Sequence, residues 1–163
     1  MFFKLHTQSN GVIRLKYLSK PQSMDEFEVY LAALKDLYVP QKKFSLLIDT
    51  RDLPGILSWK YLKRQADFMV ESEPMARKYI HRMALVVTSP LIKSLIQTIF
   101  LLKAPVTVTE TFHDDTFAEK WAVTQLPIRF GDAPVLPQPP KKQQTDHHAN
   151  SRVPREAPKK SLP

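Results

Sequence analysis

The sequence predicts an α/β domain over residues 1–131, with a mixed, mainly parallel five-stranded sheet in the element order ββαβαβαβα. Stretches with the two-residue period of strands alternate with stretches that have the 3.6-residue period of helices. Strands that alternate with helices favour right-handed crossovers onto a parallel sheet. The apolar content of 43% is enough for a core, and 163 residues suit one domain with a tail.

The first two elements form a predicted β-hairpin. "FFKLHTQ" and "VIRLKYL" flank "SNG", in which Asn10 and Gly11 can adopt the positive φ angles of a tight turn. This hairpin adds one antiparallel strand at the edge of the sheet.

A helix and a buried strand follow. Ser23 and Glu26 have the spacing of a capping box. A helical stripe of apolar residues runs behind this box and consists of Met24, Phe27, Leu31, Leu34 and Leu37. "KFSLLIDT" then predicts a buried strand that ends at Asp49.

The second crossover is helical in "SWKYLKRQADFMVESE", with Trp59, Leu62, Ala66 and Met69 on one face. Pro74 breaks or kinks the helix before "MARKYI", and "RMALVVTS" predicts the fourth strand.

Pro90 opens a helix in "PLIKSLIQTIFLLK", and "PVTVTETF" predicts the fifth strand. The last helix lies in "DDTFAEKWAVTQL". Asp115 or Thr116 is its expected cap, with Glu119 completing a capping box.

Residues 132–163 have a different composition, with seven of the fourteen prolines and no Phe, Trp or Tyr. Such a segment cannot bury enough apolar surface to offset its chain entropy, so we predict a disordered, basic tail. Its Pro137 and Pro140, followed by Lys142, match a PxxP core that SH3-type grooves bind. A flexible linker explains the motif as well.

The net charge of +8 would suit an acidic partner, but it is spread along the chain, so nucleic-acid binding is not indicated. The chain has no cysteine, and its histidines lack metal-ligand spacing. Three glycines argue against a dinucleotide or phosphate-binding loop, and we expect no cofactor or metal. A long apolar leader or membrane span is also missing, which favours a cytoplasmic protein.

Asp49 stands at the carboxyl end of a predicted parallel strand, where α/β folds place ligands. Together with Asp52 it could serve acid–base chemistry or Mg²⁺ binding. A receiver-type phosphoacceptor would need further acidic residues after the first strand, and "FFKLHTQ" has none. The alternative is that both aspartates order the turn, which is the common role of Asp there. We favour this alternative and predict no catalytic residue.

The helix that begins at Pro90 is apolar over more of its surface than one sheet face can bury. Leu95, Ile99 and Leu102 therefore form a possible apolar patch for a second copy, a protein partner or a lipid. A central helix covered on both sides explains the same pattern. Lys60, Lys63 and Arg64 are possible contacts for an anionic group, although a solvated helix face also accounts for them.

The element order and three stretches of sequence resemble the STAS domains, the sulfate-transporter and anti-sigma-factor-antagonist family. "FSLLIDTRDLPG" looks like the third strand and following loop of that family. "MALVVTSP" and "VTVTETFHDDTFAEKWA" resemble later elements of its divergent, SpoIIAA-like branch. The resemblance covers residues 2–126.

This resemblance implies a protein-interaction or regulatory module without enzymatic activity. Its partner would contact the loop from residue 49 to residue 58, through Asp49, Arg51, Asp52, Gly55 and Ser58. Switchable members carry an Asp-Ser pair at the start of the second helix, whereas here Leu57 precedes Ser58. The phosphorylation switch is therefore in doubt.

A second hypothesis is a lipid-binding or membrane-surface domain, because the lipid-carrier (CRAL-TRIO) fold is related to the STAS fold. It would use the apolar helix and the basic positions near residue 60. A third is an acid–base or Mg²⁺-dependent enzyme at Asp49 and Asp52.

Overall fold

The computed structural model describes residues 1–55 and 57–124. The elements lie in the order β1 (Phe3–Thr7), β2 (Val12–Tyr17), α1 (Met24–Asp36), β3 (Phe44–Asp49), α2 (Trp59–Glu71), α3 (Glu73–Tyr79), β4 (Ile80–Val86), α4 (Pro90–Leu102), β5 (Val108–Phe112) and α5 (Asp115–Val123). The mixed α/β class and the five strands predicted from the sequence are confirmed. The predicted tail lies outside the described residues.

The five strands form one sheet in the spatial order β1-β2-β3-β4-β5. β1 pairs antiparallel with β2, and the other three pairings are parallel. The hairpin turn has Gly11 at φ 81°, a conformation that glycine adopts at little cost, and Asn10 Oδ1 accepts a hydrogen bond from the backbone N–H of Val12. The antiparallel edge is therefore where the sequence predicts it.

The two faces of the sheet are covered unequally. Each parallel crossover moves one strand further in the same direction, so right-handed connections place their helices on the same face. α1, α2, α3 and α4 accordingly pack on one face, against residues such as Phe44, Leu46 and Leu85. α5 packs on the other face, where its Ala118 and Ala122 are fully buried.

Helix ends follow local chemistry. Ser23 Oγ accepts a hydrogen bond from the Glu26 backbone N–H at 3.1 Å, which confirms the predicted cap of α1. Pro74 lies in the first turn of a separate helix, α3. The predicted break therefore divides one predicted helix into two, and the described residues form five helices where the order ββαβαβαβα predicts four.

Two details of the helices differ from prediction. The cap of α5 is Asp114, whose side chain accepts from the Phe117 N–H at 3.0 Å, because Asp115 is engaged by Arg14 of β2. Trp59, the first residue of α2, is 57% exposed and does not share the buried face of that helix. That face consists of Tyr61, Leu62, Ala66 and Phe68.

In the part of the chain that the structure describes, every helix is too short or too polar to cross a membrane.

Candidate functional site

A cavity of about 160 Å³ lies between the sheet and the helices α1, α2, α3 and α4. Sheet residues from β3 and β4 form its floor, and apolar side chains of the helices form its walls. Its lining includes Phe27, Tyr30, Leu34, Ile48, Tyr61, Phe68, Ala76, Met83, Leu85, Ile92, Leu95, Ile99 and Phe100. The core on this face is therefore not filled.

The burial of residues in the central strands also indicates that the core on this face is not filled. Ile48 in β3 and Met83 in β4 lie on the helix-covered face in the middle of the sheet, yet both are only half-buried. Their neighbours Leu47 and Ala84, on the α5 face, have no exposed surface. Protein interiors are normally close-packed, so a half-buried position in the centre of a sheet marks a gap.

The polar side chains of the described cavity lining are all uncharged, and they are Tyr17, Tyr30, Tyr38, Thr50, Tyr61, Gln65, Ser72 and Thr107. The hydroxyls of Tyr17 and Tyr30 form a hydrogen bond of 2.7 Å with each other. Burial raises the pKa of Tyr17 to about 12 and raises that of Tyr30 well above its ordinary value, so both hydroxyls remain protonated. Thr50 and Ser72 also line the cavity, and each hydroxyl donates to a backbone carbonyl.

The three residues of the predicted apolar patch on α4 do not share one environment. Leu95 is buried and Ile99 is half-buried, and both line the cavity. Leu102 is 43% exposed and does not line the cavity. The broad apolar surface of α4 therefore has two parts: an inner part that faces the cavity, and exposed positions that include Leu91 and Leu101.

The loop that follows β3 is held by an internal ion pair. Asp49 is 1% exposed, and its carboxylate accepts two hydrogen bonds from the Arg51 guanidinium, at 2.9 and 2.6 Å. Asp49 also accepts from the backbone N–H of Arg51 at 3.1 Å. This is the turn-ordering role that the sequence favoured, and it leaves Asp49 too buried to touch a partner.

Further ion pairs join this loop to β2 and α5. Arg14 of β2 donates to Asp115 at 2.7 Å and to Glu119 at 3.0 Å. Arg51 lies 3.4 Å from the same Asp115. Neither Arg14 nor this network was foreseen from the sequence, because its residues are about a hundred positions apart. The signal in the sequence that could have indicated this network is an arginine in β2 together with carboxylates at the start of the last helix.

The carboxylates of the loop have poor properties for acid–base chemistry. Burial alone would raise the pKa of Asp49, but the hydrogen bonds and charge of Arg51 outweigh burial and hold that pKa below its ordinary value. A general base works best with a pKa near the operating pH. Asp52 is paired with Lys16 at 2.8 Å. Among residues 1–55 and 57–124, no group of three His, Asp or Glu side chains could hold a metal.

The same loop has exposed residues and residues that line the cavity. Arg51, Asp52, Gly55, Ser58 and Trp59 are exposed. Gly55 has φ 66°, which glycine tolerates. Leu53 and Leu57, from the same loop, line the cavity instead. The sequence predicted partner contact as the only role of this loop, and its contribution to the cavity lining was not predicted.

The predicted basic positions on α2 mostly face carboxylates. Lys63 pairs with Asp67 at 2.9 Å, and Arg64 pairs with Glu28 at 2.6 Å and with Glu71 at 3.1 Å. Lys60 stands over the ring of Tyr61, 5.0 Å from its centroid. Two of the three cations are thus neutralised within the domain.

Comparison with known proteins identifies the fold of this chain only. No family model matches the chain, and no curated protein matches it significantly in sequence. Among solved structures, the chain is similar to an uncharacterized protein of the DUF3478 family from Shewanella loihica PV-4, which has a SpoIIAA-like fold. The TM-score is 0.55 at 16% identity, over 74% of this chain and 91% of that one. The chain therefore has a SpoIIAA-like fold, as the sequence resemblance predicted.

Proposed function

With a SpoIIAA-like fold as the premise, we propose that this domain is a STAS-like module that acts by binding, and that its cavity takes a small apolar ligand. The observation that carries the proposal is the half-buried state of Ile48 and Met83 in the centre of the sheet. Empty space in a core forfeits contacts and costs stability, so a cavity of about 160 Å³ is favoured where a ligand occupies it.

The size and chemistry of the cavity limit the ligand. An engineered cavity of about 150 Å³ lined by aliphatic and aromatic side chains holds benzene. The cavity here is similar in volume and in lining. This supports a compact molecule, and the volume is too small for a whole phospholipid.

The test uses isopropylbenzene as the probe, with methyl NMR and thermal unfolding as the measurements. We expect the Ile48 and Met83 methyl signals to shift and the Tm to rise. Ala76 lines the cavity, so Ala76→Phe fills it and abolishes both effects. Ala32 is exposed on α1, and Ala32→Phe, as the matched control, retains them. The proposal would be contradicted if the methyl signals of the wild-type protein did not change in a solution saturated with the probe.

The protein-interaction hypothesis is a second candidate, favoured by the exposed Trp59. This side chain is 57% exposed beside the loop residues Arg51, Asp52 and Gly55. Tryptophan and arginine are enriched among the residues that dominate binding energy in protein interfaces. The ion pair of Asp49 with Arg51 limits the freedom of the loop, which lowers the entropy lost when a partner binds.

Site-specific photo-crosslinking in cells tests this candidate. A photoreactive residue at position 59 is expected to give one discrete adduct, with a second copy or with another protein. Position 70 is the matched control, because Val70 is equally exposed (58%) near the other end of the same helix. Equal or absent labelling at the two positions would exclude the loop as the contact surface.

A further inference from the structure

The tyrosine pair in the cavity has unused hydrogen-bonding capacity. Each tyrosine hydroxyl can donate one hydrogen and can also accept. The bond between Tyr17 and Tyr30 uses one of the two hydrogens. Neither hydroxyl has another hydrogen-bond partner among the described residues, so one O–H donor remains free on the pair.

The free donor is in an environment where a free donor is costly. Tyr30 is 2% exposed, Tyr17 is half-buried, and both rings line the cavity. Leaving a buried donor without a partner costs roughly 1–3 kcal/mol, and the cost is largest when the free hydrogen is on Tyr30. Low local polarity also strengthens whatever hydrogen bond the donor makes. A ligand that supplies an acceptor therefore gains more here than in water.

The surroundings determine the charge of that acceptor. Among the residues that the structure describes, the cavity lining contains no Lys, Arg, His, Asp or Glu. An ionised carboxylate would be buried without a cation, which is strongly unfavourable. The raised pKa values of both tyrosines keep the donor in its neutral form as well. A neutral carbonyl or ether oxygen meets these conditions.

From these observations we infer that the cavity ligand is a compact, neutral, mainly apolar molecule with one hydrogen-bond acceptor, which the Tyr17–Tyr30 hydroxyl pair binds. This inference rests on the proposed ligand-binding cavity and assigns its polar anchor. By comparison with benzene in a similar volume, the ligand has about six to ten non-hydrogen atoms. Aryl ketones, short esters and cyclic ethers belong to this class.

The test compares two probes of the same shape. Acetophenone carries a carbonyl where isopropylbenzene carries a methyl branch, so their ratio of dissociation constants isolates the acceptor. In the variant with both Tyr17→Phe and Tyr30→Phe, we expect acetophenone to bind about three- to tenfold more weakly. Isopropylbenzene binding is expected to stay within about twofold, because the rings and their volume are retained.

Tyr61→Phe is the matched control. Tyr61 lines the same cavity and its hydroxyl also has no hydrogen-bond partner among the described residues, but that hydroxyl is not fully buried, so water can bind it and it gains little from a ligand acceptor. We expect this variant to keep the wild-type ratio. An unchanged ratio in the double variant, or the same loss in Tyr61→Phe, would overturn the anchor while leaving the cavity proposal intact. Failure of both probes to bind the wild-type protein would instead overturn the cavity proposal.

A second measurement covers the case in which the double variant does not fold. In wild-type protein with ¹³Cζ-labelled tyrosine, acetophenone is expected to shift the Tyr17 and Tyr30 signals more than isopropylbenzene does, because ¹³Cζ reports on hydrogen bonding of the attached hydroxyl. Equal shifts from the two probes would count against the anchor.

Discussion

At the scale of single residues, Asp49 combines burial with a complete set of partners. Its two carboxylate oxygens accept three hydrogen bonds from Arg51, one of them from the backbone. A buried carboxylate is tolerated only when it is paired in this way. The residue that sequence reasoning singled out as the centre of a possible active site therefore stabilises a turn.

The first prediction concerns this pair. Arg51→Ala leaves the Asp49 carboxylate buried without its cation, so we expect the free energy of unfolding at pH 7 to fall by about 3 kcal/mol. Asp49→Asn keeps the shape and one acceptor, and its expected cost is about 1–2 kcal/mol. Urea unfolding measures both. A smaller loss for Arg51→Ala than for Asp49→Asn would mean that the pair is not the main support of the turn.

The acid dependence of stability gives a second prediction for the same residue. Arg51 holds the folded-state pKa of Asp49 below the ordinary value of 3.8. The stabilisation is therefore complete above that value and is lost as the pH falls through the folded-state pKa. Between pH 5 and pH 2 the wild-type protein should lose more stability than Asp49→Asn. Parallel curves for the two proteins would contradict the assigned pKa shift.

At the scale of elements, the helix starts differ in how they are capped. Ser23 Oγ accepts from the Glu26 N–H, and Glu26 accepts from the Gln22 N–H at 2.8 Å. Ser58 occupies the same position in α2, but its side chain makes no capping bond. The serine in the predicted contact loop is thus not committed to the helix.

A third prediction follows from this difference. Ser23→Ala is expected to lower the free energy of unfolding by about 1 kcal/mol, since it removes a hydrogen bond to a helix N-terminal N–H. Ser58→Ala, the matched control at an equivalent cap, should change it by less than about 0.5 kcal/mol. Thermal unfolding measures both, and equal effects would show that the Ser23 capping bond does not stabilise α1.

The cap of α1 could be predicted from the sequence because it is local, with its two partners three positions apart. The cap of α5 was misassigned for the opposite reason. The predicted caps Asp115 and Thr116 directly follow Asp114, which is the observed cap, and the choice depends on Arg14, which is distant in sequence and engages Asp115. Local pattern predicts that a cap exists, whereas tertiary contacts select the residue.

At the scale of the whole molecule, the sheet separates two unlike halves. One face carries α1 to α4 and a cavity. The other carries α5, which lies close enough to the strands for Ala118 and Ala122 to be fully buried. The described domain is therefore tightly packed on the α5 side and loosely packed on the side that we propose to bind a ligand.

A fourth prediction tests this asymmetry. Ala118→Leu adds volume where Ala118 has no exposed surface, so we expect a loss of about 1–3 kcal/mol. Ala33 lies on the cavity side of the sheet, packed against the main core cluster and half-buried, and Ala33→Leu should cost less than 1 kcal/mol. Chemical denaturation measures both. A larger loss for Ala33→Leu would mean that the cavity side is not the loosely packed one.

The sequence by itself determined the strands, the helices, the antiparallel edge and the fold class. The strands and helices depend on the spacing of apolar residues, and the antiparallel edge depends on turn residues. The fold class depends on the order of these elements and on the handedness of crossovers. All of these can be predicted from short stretches of the chain. Only the tertiary structure decided that α4 turns Leu95 and Ile99 toward a cavity, that Tyr17 meets Tyr30, and that Arg14 reaches α5. The reason is physical: unfilled volume and long-range pairing depend on how side chains from separate elements fit together, and no single segment carries that information.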